Sequence, residues 1–170
     1  MPSRILVVSF SRTGSTARVA AHLAKSLGGD LDTIEEVSSR RGLGGYVRSL
    51  LESLAKGLPA IRTRCDPRDY DLVVLGSPVW AGTMASPVRA YLHQHREALA
   101  KTAFFAVMGG RGGDDTVQEM QLACGVTDRP TCVFTQDEVQ HDRHRARCDE
   151  FVQRIQDRAV GKVTPVRVAA

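Results

Sequence analysis

The sequence predicts an α/β protein, a three-layer sandwich in which helices cover both faces of a doubly wound parallel sheet. Three observations predict it. Apolar runs such as Ile5-Leu6-Val7-Val8 and Leu72-Val73-Val74-Leu75 lack polar alternation, as strands buried on both faces do. Each run is followed by a segment with helical spacing, and alternating strands and helices build a parallel sheet. The turns after the first, third and fourth strands are rich in Gly, Ser and Thr. In such sheets ligands bind beyond the carboxyl ends of the strands, where strand order reverses.

The elements follow in order. Arg4–Phe10 is the first strand. Ala17, Ala20, Ala21, Ala24 and Leu27 then fall on one helical face, and Gly28-Gly29 reads as its C-terminal cap. Asp30–Val37 alternates through Leu31, Thr33, Glu35 and Val37, as a strand near a sheet edge does. Ser38–Gly45 is a Gly/Arg/Ser loop. Val47, Leu50, Leu51, Leu54 and Leu58 mark a second helix stopped by Pro59.

Leu72–Gly76 is the third strand. Ser86-Pro87 opens a helix, with Ser as N-cap and Pro at the first helical position, running to about Leu99. Thr102–Met108 is the fourth strand, and Asp115 with Gln118 resembles a capping box for the helix after it. Thr131–Thr135 is the fifth strand, and Cys148, Phe151, Val152, Ile155 and Ala159 place an apolar stripe on the last helix. At 170 residues, without linker or internal repeat, the chain reads as one domain over residues 1–160 with a flexible tail at 161–170.

Composition narrows the function. The chain is basic, with net charge +4, but its arginines are spread throughout and aromatic residues make up only 5%, which does not suit nucleic-acid binding. No stretch approaches the ~20 apolar residues that span a bilayer, and the N-terminal apolar run is too short for a signal peptide. Cys65, Cys124, Cys132 and Cys148 show no zinc or redox spacing and read as free thiols of a cytoplasmic protein. His93 and His95 diverge on a helix, and His141 with His144 reads as a solvated helix face, so no metal site is expected.

The three turns carry the chemistry. Ser11-Arg12-Thr13-Gly14-Ser15-Thr16 lies between the first strand and first helix. Backbone N–H groups at a helix start attract an anion, the hydroxyls add donors, and Gly14 lets the backbone approach closely. The segment matches neither the nucleoside-triphosphate nor the dinucleotide glycine pattern. Ser77-Pro78-Val79-Trp80-Ala81-Gly82 holds the single Trp of the chain. A Trp is ordinarily a core residue, but among Gly, Ser and Pro in a turn it suits stacking on a planar ligand. After the fourth strand, Gly109, Gly110, Gly112 and Gly113 around Arg111 leave backbone N–H groups uncovered, fit for the edge of a flat heterocycle.

Ser-x-Thr-Gly-x-Thr resembles the phosphate loop of flavodoxins, and Tyr70–Trp80 with the glycine loop extends the resemblance over nearly the whole chain. It implies a five-stranded sheet ordered 2-1-3-4-5 and bound FMN. Ser11–Thr16, Arg12 included, would take the phosphate; Ser77, Pro78, Val79, Trp80, Ala81 and Gly82 the ring; and Met108, Gly109, Gly110 and Gly113 the pyrimidine edge. The last strand runs into its helix without the interruption of long-chain flavodoxins.

Two departures bear on function. Flavodoxins that carry electrons are typically acidic and commonly sandwich the flavin between two aromatics; this chain is basic, and Met108–Asp115 holds no aromatic. One ring face would then be open to substrate, or covered by a second subunit in a homodimer or by another segment. The leading reading is an FMN-dependent oxidoreductase, reducing a quinone or similar small acceptor with NAD(P)H. Its alternatives are an electron carrier between redox proteins and a non-catalytic binding module of the same fold. No side-chain nucleophile stands out as catalytic, since the flavin would supply the chemistry. A phosphoacceptor module would need acids where Ser9, Ser11 and Ser77 stand, and a low-molecular-weight phosphatase a Cys after the first strand.

Overall fold

A computed structural model of the protein describes residues 3–37 and 58–159. The loop read at Ser38–Gly45, the helix read from Val47 and the tail at 161–170 lie outside the described residues. Five parallel strands form the sheet: β1 (Ile5–Ser9), β2 (Asp30–Thr33), β5 (Leu72–Trp80), β7 (Thr102–Met108) and β8 (Thr131–Thr135). Their order is β2-β1-β5-β7-β8. With the short strands β3 (Glu35–Glu36), β4 (Ile61–Arg62) and β6 (Thr83–Met84) set aside, this is the order 2-1-3-4-5.

Period-two alternation sends neighbouring side chains to opposite faces. Leu6, Val8, Val73, Leu75, Phe104 and Ala106 pack with Val88, Tyr91, Leu92, Val117 and Met120. These come from helices α2 (Ser86–His95) and α3 (Gly113–Cys124). On the other face Val7, Val74, Phe105 and Phe134 meet Val19, Ala20 and Leu23 of α1 (Ser15–Leu27), and Phe151, Val152 and Ile155 of α5 (Arg145–Ala159). Short helix α4 (Gln136–Gln140) follows β8 directly, opened by a Thr135–Glu138 capping box. Gly76 is required at the sheet centre, because a Cβ there would lie 2.1 Å from the Phe105 ring.

Several local expectations are corrected. The strand read as Asp30–Val37 breaks at buried Ile34, and its second half pairs antiparallel with Ile61–Arg62. Asp32 causes the break: its buried carboxylate accepts from Thr33 N, Arg64 N and Cys65 N, drawing the incoming chain against the strand end. The third strand extends to Trp80. Helix α2 begins one residue early, with Ala85 as cap. No Asp115 capping box forms: α3 starts at Gly113, behind left-handed Gly112. Gly28 caps α1 as expected, in the left-handed region with its N–H on Ala24 O and Lys25 O.

His144 is not on a solvated face but 3% exposed, packed edge-on against His22 of α1. The four cysteines are unpaired. Burial pushes the Cys124 and Cys132 thiols up to about 11 and Cys148 to about 12, which keeps them unreactive. Among the described residues no helix is long and apolar enough to cross a membrane.

Candidate functional site

The turns after β1, β5 and β7 meet at the carboxyl end of the sheet. The first turns on Gly14, at φ 93°, where α1 begins. A Cβ there would meet nothing within 4 Å, so this backbone faces open space. The Ser11 hydroxyl accepts from Gly14 N at 3.1 Å, bending the loop back over the helix start. The first four N–H groups of a helix lack intrahelical partners, and no acid stands in the first turn of α1 to use their dipole. Arg12 and Thr13 are exposed, whereas Ser15 and Thr16 are buried.

The second turn is tighter than a sequence-read loop. β5 ends at Trp80, and Ala81 and Gly82 both take positive φ, 51° and 82°, as a two-residue type I′ hairpin requires. Trp80 then pairs with Thr83 and Val79 with Met84. Ser77 sits fully buried at the hairpin base, where its hydroxyl donates to Pro78 O and accepts from Ala85 N at 3.0 Å. Its hydroxyl therefore shapes the hairpin.

Trp80 is half-buried against the core, with the Phe10 ring edge-on at 5.4 Å and the Arg12 guanidinium 5.9 Å from its centroid. Arg12 thus links the first turn to the second.

The glycine turn divides by role. Gly109 and Gly110 are exposed, and a Cβ on Gly110 would meet nothing. Gly113 is buried, and a Cβ there would strike Val133 at 2.2 Å, so it serves packing. Gly112, one of the glycines noted in the sequence but not among those expected at the pyrimidine edge, joins two turns: a Cβ on it would lie 2.9 Å from the Cα of Gly82. Between these walls lies an open pocket of about 720 Å³, with Val79, Ala81 and Gly82 on one side and Gly109–Gly112 with Asp115 on the other. A smaller hollow of about 310 Å³, lined by Leu72, Ala103, Pro130 and Ile155, lies at the opposite end of the strands, away from the three turns.

Solved structures share this architecture. A flavoprotein from Lactobacillus acidophilus NCFM in complex with FMN is 21% identical, with a TM-score of 0.61 over 82% of this chain and 97% of that one. The fold is that of the flavodoxins. A flavodoxin, WrbA-like protein from Agrobacterium tumefaciens is 15% identical (TM-score 0.54; 91% of this chain, 98% of the other). The apo form of an NADH:FMN oxidoreductase is also 15% identical (TM-score 0.59; 96% and 92%). No protein-family model and no curated protein matches the sequence. In the flavodoxin fold, the strand-order reversal falls where the three turns meet: β1 and β5 are neighbours, and the chain leaves them toward opposite sheet edges.

Proposed function

We propose that this protein binds FMN across the turns after β1, β5 and β7, and uses it to reduce a quinone or similar small acceptor with NAD(P)H. The carrying observation is the convergence of three different surfaces on one sheet end. These are an acid-free helix start behind left-handed Gly14, a hairpin ending in half-buried Trp80, and an uncovered glycine turn. The chemistry of the residues fits the group. Main-chain N–H groups at the start of α1, with the Ser11 and Thr13 hydroxyls, would hold the phosphate, and the exposed N–H groups of Gly109 and Gly110 would meet the pyrimidine edge. Bound FMN supplies electron transfer through its ring. The protein's part is to hold the ring beside Trp80 and keep an approach open on the glycine side. That openness, with the basic charge, supports a small diffusing acceptor over a protein-bound carrier. The FMN complex and the NADH:FMN oxidoreductase among the similar structures support the same reading.

Titrating the flavin-free protein with FMN and riboflavin tests the assignment. The phosphate adds charge-assisted hydrogen bonds of about 1.5–3 kcal/mol each, not additive, so FMN should bind more than about tenfold tighter. Bound flavin should also quench the fluorescence of Trp80. Equal affinities for the two flavins would remove Ser11–Thr16 from the site. Steady-state oxidation of NADH and NADPH with a quinone then tests the reaction; a loaded protein that oxidises neither is a carrier or a binding module, not this reductase.

A further inference from the structure

The hairpin and the glycine turn, the two walls of the open pocket, are both fastened to α3. Thr116 donates its hydroxyl to Gly112 O at 2.7 Å and its N–H to the same oxygen at 3.0 Å. Glu119, three residues along and so on the same helical face, reaches the other wall. Its Oε2 accepts from the Thr83 hydroxyl and from Met84 N at 3.1 Å. Its Oε1 accepts from Arg89 Nη2 at 2.7 Å, and the same Arg89 nitrogen donates to Thr83 Oγ1 at 2.9 Å. One carboxylate therefore binds the returning strand β6, and a cation from α2 fixes that carboxylate.

We propose that Glu119 is a positioning residue, holding the Trp80 hairpin at a fixed separation from the Gly109–Gly112 wall and so setting the width of the slot that takes the flavin ring. The inference rests on the flavin reading above. The clasp sits on the far strand of the hairpin, opposite Trp80 in the pairing Trp80–Thr83, so loosening it frees Trp80 without touching the phosphate turn. A Cβ on Gly112 would lie 2.9 Å from Gly82 Cα, which shows how little slack the arrangement has. Arg89 orients Glu119, and the pair is only partly exposed, at 46% and 34% of the side chains.

The test compares Glu119→Leu, Glu119→Gln, Thr83→Val and a remote control, Tyr70→Phe, which removes the Tyr70–Asp30 hydrogen bond at the other end of the sheet. The measurements are Trp80 emission of the flavin-free protein, affinity for FMN and for riboflavin, and melting temperature. Glu119→Leu should shift Trp80 emission to the red and weaken both flavins by the same factor, about tenfold, as one lost hydrogen bond to a charged group would. The FMN-to-riboflavin ratio should stay at the wild-type value, because the phosphate turn is intact. Glu119→Gln keeps an acceptor for Thr83 and Met84 and should recover most of the affinity; Tyr70→Phe should change melting temperature alone. Unchanged emission and flavin affinity within about twofold of wild type in Glu119→Leu would overturn the proposal. So would a loss in Tyr70→Phe equal to that in Glu119→Leu. If Glu119→Leu does not fold, Thr83→Val reads the same clasp through one hydroxyl. If the wild type binds neither flavin, the flavin reading fails, while the emission shift still decides whether Glu119 positions the hairpin.

Discussion

Among the described residues, a polar cluster on one face of the sheet and another on the opposite face are built to opposite rules. On the α2–α3 face, Glu119, Arg89 and Thr83 satisfy one another and the Met84 N–H. On the α1–α5 face, His22 and His144 meet edge-on at 5.8 Å, and His22 Nε2 and His144 Nδ1 are buried without a hydrogen-bond partner among the described residues. A satisfied network fixes one geometry, whereas an orphaned polar atom pays desolvation without return. The first cluster fastens a wall of the candidate site. The second lies between α1, which starts at the turn after β1, and the start of the last helix.

Cutting the satisfied network should give the largest effect. Glu119→Leu leaves the Thr83 hydroxyl, the Met84 N–H and the Arg89 charge without their acceptor. The expected loss is about 2 kcal/mol of unfolding free energy, moderated because the pair is partly exposed. Urea unfolding with an unchanged slope would measure it. A loss below about 0.5 kcal/mol would mean water replaces the carboxylate freely, and the contrast between the clusters would vanish.

The opposite change on the other face should stabilise. His144→Leu removes the buried Nδ1 that lacks a partner and keeps an apolar filling, at the loss of the backbone bond at Glu138, so a gain of up to about 1 kcal/mol near neutral pH is expected. It should also flatten an acid transition. Burial lowers the His144 pKa from its ordinary 6.5, the neighbouring His22 and Arg18 adding to this, while a backbone bond at Glu138 and the charge of Asp142 oppose it. The unfolded chain therefore takes up the proton first. Stability is fully present above 6.5 and is lost as pH falls from there toward the folded value. Asp149 lies 3.6 Å from His22 Nε2 but faces solvent. Wild-type stability measured across this window should fall with acid, and that of His144→Leu should fall less. A profile identical in both would mean another group carries the acid response.

How legible this was differs between clusters and turns. The parallel strands followed from uninterrupted apolar runs alternating with helical spacing, and their order from the flavodoxin resemblance carried by Ser11–Thr16 and Tyr70–Trp80. The three turns were visible because glycine and hydroxyl residues after strands are scarce unless backbone approach is needed. The clasp was not legible: Arg89 and Glu119 occupy helix positions where charged residues ordinarily face solvent, and only the return of β6 over α3 brings Thr83 to them. His144 misled for the same reason, since nothing local announces that α1 will lay His22 across it. Gly112 and Gly113 looked alike in sequence; the structure separates them by what lies beyond the missing Cβ, the other turn in one case and Val133 in the other. Contacts between elements distant in sequence made these distinctions, and residue spacing carries no record of them.

Tyr91 offers the finest division, because it separates lacking a partner from being titratable. It lies on the Glu119 face, is fully buried, and its hydroxyl has no hydrogen-bond partner among the described residues. Burial raises its pKa, with the charges of Asp32 and Asp66 adding to the shift, so it stays neutral throughout the range in which histidine titrates. Its ring packs on His95, with centroids 4.6 Å apart, and Phe keeps that contact. Tyr91→Phe should then change stability least of all, by a gain between zero and about 1 kcal/mol, since an unpaired hydroxyl leaves a site whose shape is preserved. The gain should be the same from about pH 5 to about pH 8, unlike that of His144→Leu, which should grow as acid is added. Urea unfolding of the two variants at both ends of that range compares them directly. A pH-dependent gain in Tyr91→Phe would show that the acid response reaches across the sheet. A loss above about 1 kcal/mol would show that the hydroxyl has a partner which the described residues do not supply.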